Sequence, residues 1–266
     1  MKEISHSDFL VHMMDILQEV HRFCDEMGLR YYLSYGSLLG AVRHKGYIPW
    51  DDDIDIWMPR PDYERLAAEY DHPYFKVLSC WNDKNYPLDF PKVHDIRTLC
   101  VEEGGDGDWG VFIDIFVLDG IHSPEEGVKM MKKVSFYRSM AANQRFTRKF
   151  KIGRKTGFKK SCMALLGKIV HPFVSLQKIL QAEDKYIASN DYDSCAYASS
   201  LVDWKYQVFV PIDSLEPYVM MPFEDREFRC PKDSDKSLTE TFGPTYMTPP
   251  PPEKRVSYHE SKAYWK

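Results

Sequence analysis

Between Trp50 and Ile56 the sequence reads Trp-Asp-Asp-Asp-Ile-Asp-Ile, and this run restricts the fold more than any other stretch of the chain. Ile54, Ile56 and Met58 alternate with Asp53, Asp55 and Trp57, the period of two that belongs to a strand whose faces meet different surroundings. If the strand extends back to Asp51, the carboxylates of Asp51, Asp53 and Asp55 share one face. Like charges held that close repel unless a cation lies among them. Oxygen-only donors are what Mg2+ or Mn2+ prefers, and such ions neutralise charge on a reacting phosphate. An acidic run also suits a solvated loop; the flanking Trp50 and the interleaved isoleucines favour the strand.

Upstream, Ser7 opens a helical pattern of apolar residues from Phe9 to Cys24 that Gly28 stops. Residues 30–35 have strand composition, Gly36-Ser37 breaks them, and residues 38–43 return to helix. A glycine at such a turn lets the backbone approach a phosphate, and Ser37 with nearby N–H groups supplies donors, although Gly-Ser is also ordinary turn chemistry. Pro59 and Pro61 close the acidic strand. Beyond them the pattern predicts a helix over 62–70 and strands over 75–80, 90–95 and 98–102. A Gly/Asp-rich turn over 104–108 and a strand over 110–117 follow, with Asp114 at its middle. A lone carboxylate on an apolar strand needs a partner or a metal. Asp119, beside Gly120, is an alternative in a more turn-like setting. These elements predict an α+β, α/β-like domain over 1–120, then a helical segment over 121–190 and a C-terminal α+β segment over 191–266 that packs back on the core.

Charge is unevenly spread. The chain of 266 residues has a net charge of only −5, which does not point to nucleic acid, yet no Asp or Glu occurs between Gly127 and Ala182, where lysines and arginines recur. That basic helical stretch either docks on an anionic inner leaflet or packs on the core with a solvated basic face. Six cysteines without a C-x-x-C pair argue against zinc or a disulfide framework. The acidic amino terminus lacks the features of a signal peptide, so the expected location is cytoplasmic, in peripheral contact with the membrane.

Strand, Gly-Ser, helix, D-x-D and a later strand carboxylate resemble the nucleotidyltransferase superfamily with its polymerase-beta-like mixed sheet. More narrowly, the block from Tyr35 to Asp55 resembles the signature of the LicD family of bacterial phosphocholine transferases, which extends to the fukutin-related sugar-phosphate transferases. The likeness continues through Gly110–Asp119 and the C-terminal Phe242–Met247, Pro250–Arg255 and His259. It implies a CDP-alcohol donor such as CDP-choline, a sugar hydroxyl of a cell-surface glycan, lipopolysaccharide or teichoic acid precursor as acceptor, and CMP as product. It further implies Asp53, Asp55 and Asp114 as ligands of Mg2+ or Mn2+, two ions in all, with Gly36 and Ser37 at the donor phosphate and no zinc. Asp114 or Asp51 is the candidate general base. Arg43 and His44, with a solvated basic turn as the alternative, Lys92 on its apolar strand, and Lys254, Arg255 and His259, with an inert tail as the alternative, are candidate phosphate contacts. A choline head group needs aromatic faces; Trp50, Trp81, Tyr86, Trp109 and Trp204 are available, and Trp50 is expected by its proximity. Nucleotidyl, ribitol-phosphate or glycerol-phosphate transfer on the same fold, and a non-catalytic scaffold, are the competing readings.

Overall fold

The helical period at the amino terminus forms α1 (His6–Met27). Ser5 caps it, its Oγ accepting the Asp8 N–H at 3.1 Å, and Gly28 ends it at a φ of 64°, a left-handed conformation open to glycine at no steric cost. Ile16, Leu17 and Val20 on its inner face are fully buried, each worth about 1.5–3 kcal/mol relative to exposure. The computed structural model of the chain describes residues 1–101, 109–149, 174–203, 205–255 and 262–266. The turn expected over 104–108, Trp204, His259 and most of the basic stretch lie outside the described residues.

A seven-stranded mixed sheet forms the centre. Its strands are β2 (Tyr32–Leu33), β3 (Asp55–Pro59), β4 (Phe75–Leu78), β5 (Lys92–Asp95), β7 (Phe112–Ile121), β8 (Tyr197–Ser199) and β9 (Val210–Pro211). The order β2-β3-β7-β5-β4 places β3 and β7 side by side and parallel, while β5 runs antiparallel to β7. The far end of β7 pairs with β8 from the C-terminal segment. A second, three-stranded sheet sets β12 (Lys262–Trp265) between β1 (Lys2–Glu3) and β6 (Thr98–Val101). The hairpin β10 (Val219–Phe223) and β11 (Arg226–Cys230) completes the strands among the described residues.

The two faces of the central sheet differ, as period-two side chains require. Ile56, Met58, Ile113, Ile115 and Val117 belong to the main core, against which α1 and α3 (Arg60–Glu69) pack. The opposite face carries Asp55 and Trp57 from β3 and Asp114 and Phe116 from β7, followed by an aromatic cluster around Tyr35, Trp57 and Leu118. The helix α2 (Tyr35–Arg43) packs against β3, β10 and α6 (Ser234–Phe242). α4 (Pro124–Lys149) packs on α5 (Leu176–Ile187) and β7. Among the described residues no helix is long and apolar enough to cross a membrane.

Two local expectations need correction. The strand does not reach back to Asp51: β3 begins at Asp55, and residues 51–54 are a loop entering it. Likewise Gly36-Ser37 is not a turn before the helix but lies inside its first turn, because α2 starts at Tyr35. Tyr35 adopts a φ of 45°, a left-handed backbone that costs on the order of 1 kcal/mol or more for a non-glycine residue. Its ring holds it there, 5.3 Å from Trp57, 5.0 Å from Phe116 and 5.4 Å from Tyr206 between centroids.

Candidate active site

Register builds the floor of the site. In the parallel pair β3/β7, Asp55 stands opposite Asp114, and across β5/β7, Asp114 stands opposite Lys92. Cross-strand partners share a face about 4.8 Å apart along the hydrogen-bonding direction, so Asp55, Asp114 and Lys92 form one row. The Lys92 ammonium donates to Asp114 Oδ1 and lies 3.6 Å from the Phe112 ring centroid. Only 3% of Lys92 is exposed, so this lysine, expected at a donor phosphate, is instead the counter-charge beneath the acidic row. Asp119 is also a strand residue, not a turn residue, and is fully engaged in the core by Arg60, which donates to both its oxygens at 2.7 and 3.0 Å.

The acidic loop arrives above that floor at the N-terminus of α2. Ser37 Oγ accepts the Asp55 N–H at 2.9 Å, tying the first helical turn to the start of β3; buried at 3% exposure, Ser37 acts as a strut between α2 and β3 in this structure. Gly36 lets the loop approach: a Cβ at this position would lie 2.5 Å from Asp51 Oδ2 and 3.9 Å from Asp53 Oδ1. Ser34, the N-cap of α2, makes no side-chain capping bond. The Asp51 carboxyl thus lies against the first turn of α2, where the partial positive charge of a helix N-terminus favours an anion. Burial, then the charge of Asp53, pushes Asp51 up to about 8. Burial followed by the charges of Asp53, Asp114 and Asp51 raises Asp55, and Lys92 opposes that rise.

Two clefts open over these acids. The first, of about 520 Å3, is walled by Gly36, Arg43, Trp50, Phe242, Tyr246 and Lys254, among others. The second, of about 650 Å3, lies between β7 and α4 and includes Phe90, Asp114, Phe116, Arg138 and Asp203. Arg43 donates to the Tyr246 carbonyl at 2.6 Å and to His44 Nδ1 at 3.3 Å, which fixes the C-terminal segment over the first cleft. His44 meets the edge of Trp50 at 5.9 Å, and the Arg255 guanidinium covers the Trp50 ring at 5.0 Å. Arg43, Trp50 and Lys254 thus converge on the first cleft, with His44 and Arg255 packed around Trp50. Of the other aromatic candidates, Tyr86 and Trp109 are core residues, and Trp81 donates its ring N–H to Asp184 at 2.8 Å.

Sequence reasoning missed Asp203, Lys205 and Tyr206, which reach the acids from about 150 residues downstream. The signal available was the dense Asp-Trp-Lys-Tyr run at 203–206, with no periodicity to say where it lands. Also unforeseen were Tyr35, Tyr206, Phe242 and Tyr246 as the aromatic lining beside Trp50.

Among the described residues no three His, Cys, Asp or Glu side chains are already gathered in a ligating arrangement. The chemistry of the donor set nevertheless fits a hard divalent cation. Asp53, Asp55 and Asp114 offer only oxygen, and Asp55 is buried among like charges that a cation would relieve.

Residues 28–151 match the family model described as LicD/FKTN/FKRP, nucleotidyltransferase domain. Over 276 aligned residues, covering 99% of this chain and 99% of the relative, the sequence is 29% identical to the lipopolysaccharide cholinephosphotransferase LicD of Haemophilus influenzae. An uncharacterized protein of Rickettsia prowazekii is 38% identical over 91 residues, 34% of this chain and 31% of that one. The human ribitol 5-phosphate transferase FKRP is 62% identical over 29 residues, 11% of this chain and 6% of its own length. The resemblance read from the Tyr35–Asp55 block therefore holds.

Proposed function

We infer, from a chain whose residues 28–151 carry a LicD-family domain, that it is a transferase on a nucleotidyltransferase-type sheet. It moves phosphocholine, or a similar phospho-alcohol, from a CDP-activated donor to a sugar hydroxyl of a cell-surface glycan precursor and releases CMP. One observation carries the reading: the row Asp55–Asp114 lies beneath a loop that brings Asp51 and Asp53 to the N-terminus of α2, where two clefts meet. A stable protein gains nothing from crowding carboxylates there unless they hold something.

Asp53, Asp55 and Asp114 would hold Mg2+ or Mn2+, which when bound supplies neutralising charge at the reacting phosphate and lowers the pKa of the attacking hydroxyl. Arg43 and Lys254 offer charge-assisted donors to a diphosphate in the first cleft. The rings of Trp50, Tyr206, Phe242 and Tyr246 offer faces for a cytosine or a quaternary ammonium. In the transfer itself, the acceptor oxygen forms a bond to the phosphorus that bears the alcohol, and the bond from that phosphorus to CMP breaks. Asp114 already carries the Lys92 ammonium, which makes Asp51 the better placed carboxylate to take the hydroxyl proton.

The test is incubation with Mg2+ and a panel of CDP-choline, CDP-ethanolamine, CDP-glycerol and CDP-ribitol, reading CMP release. The match to a ribitol 5-phosphate transferase justifies the last member. CMP from none of them, together with activity on a nucleoside triphosphate, rejects the reading. Asp53→Asn and Asp55→Asn remove the charge with little change of shape and are expected to abolish turnover; a fully active variant would refute the ligand assignment. A lipid-linked acceptor at an anionic membrane surface completes the proposal, and failure to bind anionic liposomes at low salt removes that part.

A further inference from the structure

The two clefts are not separate. Tyr35, Asp53, Asp55, Lys205 and Tyr206 line both, so the acids form a shared sill. A phosphorus in transfer touches the leaving and attacking oxygens at once, and if donor and acceptor enter from different clefts it must sit over that sill. Its equatorial oxygens carry charge that a pre-positioned cation stabilises where water is excluded.

The cations around the clefts divide clearly. Arg43 and Lys254 belong to the first cleft. Arg138 belongs to the second and is held by Asp89 at 2.8 Å. Lys92 is buried on Asp114. Among the described residues only Lys205 is a cation on both walls.

Lys205 is also held in position. Asp203, 7% exposed, accepts the backbone N–H groups of Lys205 and Tyr206 on its Oδ1 at 2.8 and 3.1 Å, which anchors both residues to it. The Tyr206 ring stacks on Tyr35 at 5.4 Å and meets Phe242 edge-on at 5.3 Å. The Lys205 ammonium rests 4.8 Å from the centroid of that same ring.

We propose that Lys205 is a catalytic residue that grips the transferred phosphate at the junction of the clefts, with the cytidine phosphate in the first cleft and the acceptor hydroxyl entering through the second. This rests on the transfer reading above. The phosphate gripped is the one that bears the alcohol, and CMP departs without it.

The experiment compares wild type, Lys205→Met and Lys205→Arg for CMP release from saturating CDP-choline with Mg2+, and for the affinities of CDP-choline and CMP by calorimetry. Loss of one pre-positioned donor at a developing charge costs about 100-fold or more in kcat, and Lys205→Met is expected to show that loss. It should also bind CDP-choline about 10-fold more weakly, while CMP affinity stays at the wild-type value because CMP lacks the gripped phosphate. Lys205→Arg should recover a substantial part of the rate. Wild-type kcat in Lys205→Met overturns the inference, and so does parallel loss of CMP and CDP-choline binding, which would mark a structural role. Where another member of the CDP-alcohol panel is the donor, the same comparison is made with it; wild-type protein that releases CMP from none of the four rejects the transfer reading, and this inference with it.

Discussion

Replacing Gly36 by alanine isolates the contact that registers the acidic loop against α2. The added Cβ would lie 2.5 Å from Asp51 Oδ2 and 3.6 Å from its Cγ, whereas ordinary contact begins near 3.4 Å. The backbone of α2 is tied to β3 through Ser37 and Asp55, so the carboxylate at the end of a side chain gives way, by about 1 Å. Misplacement of that size in a catalytic arrangement costs on the order of 100-fold in rate. Stability moves the other way. Alanine for glycine inside a helix contributes about 0.5–1 kcal/mol, offset in part by the displaced carboxylate. Gly36→Ala is therefore expected to lose about 100-fold in CMP release while its urea midpoint stays level or rises, both measured on one preparation. Wild-type turnover would refute the claim that Asp51 is held where the chemistry needs it, and a marked loss of stability would show that the backbone, not the side chain, absorbs the clash.

Lys92→Met leaves Asp114 beside Asp55 without its ammonium partner; breaking a buried pair costs about 3–5 kcal/mol, the lower end applying here because 13% of the Asp114 side chain is exposed. Urea unfolding in EDTA should show the full loss and excess Mg2+ should recover part of it; no destabilisation in EDTA would contradict the counter-charge role. Asp55→Asn removes a buried charge crowded by carboxylates, so its metal-free unfolding midpoint should match or exceed wild type. The wild-type gain from a divalent ion at 100 times its Kd, about 2.7 kcal/mol, should disappear in that variant. Asp95 is fully buried, with His12 Nε2 at 2.7 Å and Arg97 donating to both its oxygens, and these bonds outweigh burial to hold its carboxyl well below the usual range. A folded-state pKa below the unfolded one gives stability that is present above about pH 4 and lost as pH falls toward the folded value. Asp95→Asn should flatten the acid limb of a stability–pH curve, and an unchanged limb would rule that linkage out.

Much of the path to the site was legible. The helical period ended by Gly28, the D-x-D run and the apolar strand around Asp114 are local patterns, and the elements they predict are present with shifted ends. The shift at β3 has a physical cause. Acidic and apolar residues alternate from Asp53 to Ile56 as in a strand, but the chain before Asp55 bends to lay Asp51 against Gly36 in the first turn of α2. The early start of α2 depends on Tyr35 being wedged among Trp57, Phe116 and Tyr206. No window of neighbouring residues reports a wedge built from three separate segments.

The chemistry on offer is written along the chain: oxygen-only acids at D-x-D spacing, a glycine before them and one further carboxylate on a later strand. Spacing along the chain sets such features because helix and strand periods are local. The partners of those groups come from the fold. It set Lys92 beneath Asp114 rather than in a cleft, gave Asp119 to Arg60, and brought Lys205 and Tyr206 to acids about 150 residues earlier in the chain. Charge pairing depends on distances of a few ångströms through a medium whose screening changes with burial, and those distances exist only after the strands have taken their register.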